Sequence, residues 1–271
     1  MLHYQTLEKS SFDVLQELMQ NSLLKNTGFM LAGGTALALQ LGHRMSTDLD
    51  LFTATPFDSK DVSKALEETF GNRITITARN EIGFRGFIDD VKIDVLHFKY
   101  QGIHQPIEQD GLRILPVEAI AALKIHAVAN RGLRRDFVDL GEILQKNPLE
   151  TVLQSYFKQF SPSPSAFSHT MSALTYFNDA ERTPQKIDVK NGRKWEDTKK
   201  IVIASVNKPG ILHKLTPPIT VKPSNPHISQ ALAKPAQVLS VNQPKSQNPI
   251  NTGLKPVQRT PDKKPRSALK L

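Results

Sequence analysis

The sequence predicts an α/β fold in which a small mixed sheet is flanked by helices and followed by a helical region and a disordered C-terminal tail. Over residues 1–146, short apolar or alternating segments typical of strands occur between segments with helical spacing of apolar residues. Residues 147–200 have mainly helical spacing, and residues 201–271 are basic and rich in proline. We therefore divide the chain into a core, a helical region and a tail at these boundaries.

The elements of the core follow from local patterns. Helical spacing over residues 59–70, preceded by capping residues and followed by a glycine, predicts an amphipathic helix. Residues 74–78, 83–89 and 91–98 alternate as strands do. Residues 117–129, an alanine-rich segment after a proline, predict a long helix, and a further helix starts near residue 136.

Composition limits the class of protein. The 271 residues suffice for one or two domains with a large core. There is no cysteine, which excludes disulfides and thiolate metal sites and fits a reducing compartment. No secretory signal is visible, and no apolar segment approaches the ~20 residues of a membrane span. We expect a soluble cytoplasmic protein without a membrane partner.

The positive charge of the chain is concentrated in the tail. Residues 201–271 contain eleven Lys or Arg and a single acid, Asp262, whereas the other 24 basic and 25 acidic residues nearly cancel. Eleven of the 18 prolines and no aromatic residue lie in this segment, so we expect it to remain disordered. Such a tail can serve as a nucleic-acid-binding arm or as a plain linker, and the sequence leaves both open.

An acidic strand dominates the core. In the segment Asp48-Leu49-Asp50-Leu51-Phe52, alternation places the two carboxylates on one face and the two leucines towards a core. Carboxylates this close repel each other unless a cation lies between them. Mg²⁺ is the simplest candidate, because it takes carboxylate oxygens and completes its shell with substrate phosphates.

A glycine pair supplies a second feature. Gly33, Gly34 and Thr35 open a predicted helix over residues 35–41, directly after a short apolar strand. Glycines let the backbone approach a phosphate closely, the first N–H groups of a helix favour an anion, and the threonine can add a hydroxyl donor. Together with the acids, this cradle predicts a nucleoside triphosphate held for attack at phosphorus.

Asp94 is a carboxylate in the middle of an otherwise apolar strand. It is either a strand acid paired with a nearby Arg or Lys, or a third metal ligand beside Asp48 and Asp50.

A second group of charged residues follows. Lys124, Arg131 and Arg135 would share one face of an unbroken helix. Because Gly132 is expected to end the helix, this shared face is predicted only as far as the turn at Gly132. A plain interpretation is a surface lysine beside a solvated Arg-Arg-Asp segment that ends in Asp136.

These motifs also resemble a known family. Gly33-Gly34-Thr35 followed by Asp48-Leu-Asp50 resembles the signature of the DNA polymerase beta-like nucleotidyltransferases. The segment Arg44-Met-Ser46-Thr-Asp48-Leu-Asp50-Leu-Phe52 narrows the resemblance to the AbiEii/AbiGii-type nucleotidyltransferases, which include toxins of abortive-infection and toxin–antitoxin systems. The pattern Lys124…Arg131…Arg135-Asp136-Phe-Val-Asp139-Leu is similar to a second motif of this family, and the resemblance covers residues 25–145.

The resemblance implies roles for these residues. Asp48, Asp50 and Asp94 would hold Mg²⁺, with Asp94 near the attacking hydroxyl as a base. The other implied roles are contacts to the nucleotide or its phosphates, from Gly33, Gly34, Thr35, Arg44, Ser46, Lys124, Arg131 and Arg135, and support or direct binding at the site by Asp136.

The resemblance also implies a reaction and partners. We expect transfer of an NMP from an NTP to an acceptor hydroxyl, foremost the 3′ end of tRNA, in a toxin or phage-defence effector that can have a cognate antitoxin. Two alternatives remain: a non-catalytic nucleotide- or RNA-binding protein on the same fold, and NMP transfer to a protein or small molecule. A P-loop enzyme is not expected, because Gly-x-x-x-x-Gly-Lys-Ser/Thr is absent.

Overall fold

A computed structural model describes residues 1–98, 105–182 and 186–209. The strands within these ranges are β1 (Met30–Ala32), β2 (Leu49–Thr53), β3 (Ile74–Asn80), β4 (Gly83–Ile88), β5 (Val91–His97), β6 (Ile107–Gln109) and β7 (Leu112–Ile114). The helices are α1 (Lys9–Gln20), α2 (Ser22–Asn26), α3 (Gly33–Leu41), α4 (Ser59–Phe70), α5 (Val117–Arg131), α6 (Arg134–Lys146), α7 (Leu149–Phe160), α8 (Pro164–Ala173), α9 (Asn178–Arg182) and α10 (Trp195–Val206). Short 3₁₀ turns cover Tyr4–Thr6 and Gly71–Arg73.

The seven strands form one mixed sheet in the order β3-β4-β5-β2-β1-β7-β6. Strand β2 pairs in parallel with β5 and antiparallel with β1, while β1 pairs in parallel with β7. The remaining neighbours are antiparallel hairpin partners. The predicted α/β class with a mixed sheet is confirmed, and β2, the acidic strand, lies at the centre of the sheet.

Local capping explains where the helices near the acidic strand begin and end. The Asp58 side chain accepts hydrogen bonds from the backbone N–H groups of Lys60 and Asp61, which fixes the start of α4. Helix α3 ends at Gly42, whose φ of +68° is the left-handed conformation that favours glycine at this position. The chain therefore reverses directly after α3 and returns through residues 43–47 to β2.

The helical region packs on the core through one continuous set of buried apolar residues. Helix α7 packs on α5, and α10 packs on α6. Trp195, at the start of α10, makes edge contacts with Phe137 and Phe177. These contacts join the carboxyl-terminal helices to the helices that follow the sheet.

Helix α10 includes the first six residues of the predicted tail, 201–206. Helix α10 continues to Val206 because Val202 is completely buried and Ile201 and Val206 pack against the core. Residues 210–271, which hold nearly all of the predicted basic tail, lie outside the described residues. In the described part of the chain, no helix combines the length and apolarity needed to cross a membrane.

Candidate active site

The structure brings the three predicted acids together. Asp50 on β2 and Asp94 on β5 are direct partners in the parallel pairing of these two strands, and Asp48 directly precedes β2. Leu49 and Leu51 are completely buried, as the alternating pattern requires. One face of the central strands therefore carries three carboxylates in adjoining positions.

Two cations that the sequence analysis missed contact these acids. Lys92 Nζ lies 3.3 Å from Asp48 Oδ2 and 3.0 Å from Asp94 Oδ2, and Arg85 Nε lies 3.1 Å from Asp94 Oδ1. Lys92 precedes Asp94 by two residues, and Arg85 is its partner across β4 and β5. The period of two along β5 would have placed Lys92 on the acid face. The contact of Arg85 with Asp94 could be known only from the register of β4 against β5.

The carboxylates fit a hard divalent cation by their chemistry. Burial, followed by the negative charge of Asp94, raises the pKa of Asp50 to about 6, although Lys92 and Lys124 act against this rise. Asp94 Oδ1 is buried and accepts no hydrogen bond within the described ranges, despite the nearby Arg85. Closely spaced carboxylate oxygens are the donors that Mg²⁺ prefers, although Arg85 and Lys92 pair with Asp94 in this structure.

The arrangement of the side chains differs from a closed metal site. Among the residues that the structure describes, no group of three or more Asp, Glu or His side chains is arranged to hold a metal ion. The Lys92 ammonium lies between Asp48 and Asp94 instead. A metal held by Asp48, Asp50 and Asp94 therefore requires Lys92 to move away from the carboxylates.

The glycine pair is needed for close approach to the acid face. Gly33 has φ of +66°, and a Cβ built there would overlap Asp50 Oδ2. A Cβ on Gly34 would overlap Arg44 Nη2. The first turn of α3 thus lies directly against Asp50 and Arg44, and the first N–H groups of a helix favour an anion.

The hydroxyl groups of Thr35 and Ser46 form hydrogen bonds within the protein. Thr35 is completely buried, and its hydroxyl donates to the Asp48 carbonyl and lies 2.9 Å from Ser46 Oγ. The single hydrogen of the Thr35 hydroxyl is thus shared between two acceptors, the Asp48 carbonyl and Ser46 Oγ. In this structure the two hydroxyls fix the residues just before β2 rather than pointing to a ligand.

The second predicted group forms a buried ionic network. Asp139 accepts hydrogen bonds from Arg44 Nε at 2.6 Å and Arg44 Nη2 at 2.9 Å, and Lys124 Nζ lies 2.6 Å from its Oδ2. His43 Nε2 lies 2.8 Å from Asp139 Oδ1. Burial alone would raise the pKa of Asp139, but the charges of Arg44 and Lys124 hold it well below its usual value.

Asp136 is the other centre of this network. It is completely buried, accepts two hydrogen bonds from Arg131 at 2.8 and 2.9 Å, and lies 3.4 Å from Lys124 Nζ. Burial would raise its pKa, but Lys124 and Arg131 lower it. The plain interpretation of these residues as a solvated face is therefore wrong, since Lys124 is 6% exposed and Asp136 is not exposed at all.

Of the cations predicted to contact the nucleotide, some are used up by bonds within the chain and others remain partly exposed. All three guanidinium nitrogens of Arg44 are bonded within the chain, the third to the Met45 carbonyl. Arg131 and Arg135 remain 44% and 39% exposed in their side chains, and Arg135 Nη1 lies 3.8 Å from Asp48 Oδ2. Arg135, the residue before Asp136 in the chain, therefore reaches the acid face.

Residues 188–193 also brace the loop before β2. The Met45 N–H donates to the Asp188 carbonyl, the Lys190 N–H donates to the His43 carbonyl, and both bonds measure 2.8 Å. Arg193 and Asn191 each reach Glu142 Oε2 on α6 at 2.8 Å. Nothing in the sequence pointed to this contact, because its two bonds join residues 143 and 147 positions apart that lack a shared motif.

Comparison with known proteins identifies the family. The model of the family described as "Nucleotidyl transferase AbiEii toxin, Type IV TA system" matches residues 14–202, which is more than half of the chain.

The chain belongs to the AbiEii nucleotidyltransferase toxin family.

This assignment confirms the family and the enzyme class predicted from the glycine and acid motifs. The AbiEii match extends well beyond residues 25–145 and includes the helical region through most of α10. The chain is also 29% identical over 183 residues to the uncharacterized protein aq_aa25 of Aquifex aeolicus, covering 64% of this chain and 84% of that protein.

Several solved structures are similar to this AbiEii chain at 17% identity and a TM-score of 0.46. One is the nucleotidyltransferase toxin MenT4 (Rv2826c) of Mycobacterium tuberculosis, with 78% of this chain and 90% of that chain covered. Another is JHP933 of Helicobacter pylori, with 74% and 91% covered. A third is the antibiotic-resistance factor ANT(2'')-Ia, with 62% and 96% covered.

Proposed function

We propose that this nucleotidyltransferase moves an NMP from an NTP to the 3′-terminal hydroxyl of a tRNA, with Mg²⁺ held by Asp48, Asp50 and Asp94. The observation that carries the proposal is the direct pairing of Asp50 with Asp94, beside Asp48 and against the Gly33 backbone. Carboxylate oxygens that can hold a metal then lie beside a helix start whose N–H groups can bind a phosphate. Transfer at a phosphorus atom requires both.

The chain's own residues would bind and orient the triphosphate. Gly33 and Gly34 open α3, and Gly33 lies against Asp50, so the backbone N–H groups of this first turn would suit phosphate oxygens. Arg131 and Arg135 are partly exposed, and Arg135 Nη1 lies 3.8 Å from Asp48 Oδ2, so these cations would add positive charge near the acids. Lys124, Arg44, Thr35, Ser46 and Asp136 would support the site from within, through the buried network and the loop before β2.

The proposed reaction makes one bond and breaks one. The acceptor hydroxyl oxygen attacks the α-phosphorus, the bond from that phosphorus to the bridging oxygen of the β-phosphate breaks, and pyrophosphate leaves. Asp94, the most deeply placed of the three acids, would accept the proton of the attacking hydroxyl. Bound Mg²⁺ would supply stabilisation of the charge on the attacking and leaving oxygens.

The biological role follows from the acceptor. Extending a tRNA at its 3′ end would block its use in translation, so the activity would act as a toxin or a phage-defence effector in the cytoplasm. A type IV toxin–antitoxin assignment of the family supports a cognate antitoxin as a partner.

The test is incubation of the purified protein with Mg²⁺, each α-³²P-labelled NTP in turn and total tRNA. The inactive variant is Asp48→Asn/Asp50→Asn, which keeps the shape of both side chains. Asp61→Asn is the matched control, because Asp61 is an exposed acid on α4, away from the acid face. Label on tRNA with wild type and the control, lost in the double variant and in EDTA, is the expected result.

Two results would redirect the proposal. Label that appears on protein or on a small molecule, but never on tRNA, would replace the acceptor while retaining NMP transfer. RNA binding without incorporation of any NTP, by a folded protein, would instead favour a non-catalytic RNA-binding role.

A further inference from the structure

The acid face of the sheet continues onto the two outer strands, β3 and β4. On these strands Phe84, Ile88 and Ile74 are buried on the face that packs against α4. The residues that point the other way are exposed: Thr75, Ala78, Arg85 and Phe87. We call these four residues the sheet platform.

The strand register makes the platform continuous with the acids. Arg85 pairs with Asp94, and Asp94 pairs with Asp50, so one row crosses from the platform to the centre of the site. Phe87 pairs with Lys92, which contacts Asp48 and Asp94. Side chains opposite each other in a sheet lie about 5 Å apart, so a bound molecule could contact both groups.

The platform has the composition of a single-strand nucleic-acid surface. Phe87 is 40% exposed, which is unusual for a large apolar side chain in the part of the chain that is described. Arg85 and Lys92 flank it, and Thr75 and Ala78 beside it are small enough to leave its ring accessible. An aromatic ring for stacking, bordered by cations for the backbone, is how proteins bind unpaired nucleotides.

The positive charges beside the acids also favour a nucleic acid as the ligand of the sheet platform. In this structure Arg85, Lys92 and Arg135 all contact Asp48 or Asp94. A divalent cation at the acids would compete for these carboxylate oxygens and release the guanidinium and ammonium groups. The released groups would then face the platform and favour the phosphates of an acceptor strand.

We propose that the sheet platform binds the unpaired 3′ end of the acceptor RNA, with Phe87 stacking on a base and Arg85 contacting the backbone. This proposal rests on the proposed function only in taking RNA as the acceptor. It adds the surface that selects a single-stranded end and directs its terminal hydroxyl towards Asp94.

The test measures binding rather than transfer. Fluorescence anisotropy with a 5′-labelled acceptor-stem hairpin, in Mg²⁺ without NTP, compares a hairpin that has a short unpaired 3′ end with a blunt hairpin of the same stem. We expect wild type to prefer the unpaired end, and Phe87→Ala to weaken that binding by about 5- to 150-fold. Phe87→Tyr should bind like wild type, because it keeps an aromatic ring.

Matched controls separate the platform from general surface effects. Ile107 is also 40% exposed but lies on β6, at the opposite edge of the sheet, so Ile107→Ala should not change binding. Arg85→Gln should lower the slope of log affinity against log salt by about one. Arg79→Gln should leave the slope unchanged, because Arg79 pairs with Phe84 and points to the other face.

The outcomes distinguish this proposal from the proposed function. Equal binding of the unpaired end by wild type and Phe87→Ala would overturn the platform, even if tRNA is labelled in the transfer assay. Equal binding of the two hairpins by wild type would overturn it as well. Binding that depends on Phe87, without transfer to any RNA, would uphold the platform and reject only the proposed catalysis.

Discussion

Arg44 and Asp139 form a bidentate salt bridge in which Asp139 is completely buried and Arg44 is 6% exposed. The pair joins the loop before the acidic strand to α6, over 95 residues of sequence. Lys124 and His43 contact the same carboxylate. The position of Asp48 and Asp50 therefore depends on a charge network centred on α6, outside the acids' own strand.

The first prediction concerns removal of the centre of this network. Asp139→Ala should lower the free energy of unfolding by about 3–5 kcal/mol, because it leaves Arg44 and Lys124 buried without this partner. Urea denaturation at neutral pH measures the change. Asp197→Ala, an exposed acid on α10, is the control and should change stability by under about 1 kcal/mol. A loss of that small size at Asp139 would contradict the network's role.

The second prediction separates catalysis from stability at Asp50. The ion pairs of the described residues include Asp48 and Asp94 but not Asp50, and the Asp50 carboxylate is crowded by Asp94. Asp50→Asn should therefore keep or raise the free energy of unfolding in EDTA while abolishing NMP transfer. Urea denaturation and the ³²P transfer assay measure the two effects. A destabilised Asn variant would show that the carboxylate is structural.

The third prediction concerns Gly33. Gly33→Ala should reduce transfer by about 100-fold, because the added Cβ displaces the Asp50 carboxylate from its place against α3. Gly111→Ala is a close match, since Gly111 has φ of +79° but nothing within 4 Å of its Cβ position. Both variants should lose about 1–2 kcal/mol of stability through left-handed backbone strain. Full activity in Gly33→Ala would contradict the close approach.

The fourth prediction is a pH dependence caused by His126. Its ring stacks on Phe160 at 4.3 Å, and burial lowers its pKa from 6.5 to about 4. The unfolded chain therefore binds this proton more tightly, so the contribution of His126 is fully present above pH 6.5 and is lost as the pH falls towards 4. The loss should reach about 3 kcal/mol.

Chemical denaturation across this pH range tests the contribution of His126. His126→Leu should remove that part of the acid destabilisation, whereas His169→Gln should not, because His169 is exposed. Identical pH profiles for wild type and His126→Leu would reject the assignment.

The fifth prediction concerns the brace formed by residues 188–193. Glu142→Ala removes the carboxylate that Arg193 and Asn191 contact, so the amides of Met45 and Lys190 should exchange hydrogen faster. Hydrogen exchange with mass spectrometry measures this change. Glu118→Ala, in the first turn of α5, is the control. Unchanged protection of the Met45 amide in Glu142→Ala would show that residues 188–193 hold the loop without their contact to Glu142.

Much of the site's inventory was predictable from the sequence. Alternation over residues 48–52 placed both acids on one face, and the family motifs identified the nucleotidyltransferase. Lys124, Arg131 and Asp136 were predicted as one group and do meet. Asp139 was part of the motif, but its place as the partner of Arg44 was not apparent, because an ion pair between residues 95 positions apart leaves no local pattern.

The sequence by itself determined the class of fold, the family and the elements around the acidic strand, but not β6 and β7. Hydrophobic period, capping residues and motif spacing are local properties of the chain, whereas these two strands are only three residues long. Only the tertiary structure decided which side chains remain available to a ligand. It buried Thr35 and Arg44 in internal bonds, placed Lys92 between the acids, and left Phe87 exposed beside them. These outcomes depend on strand register and on pairing between distant charges, and both are set by how the elements pack.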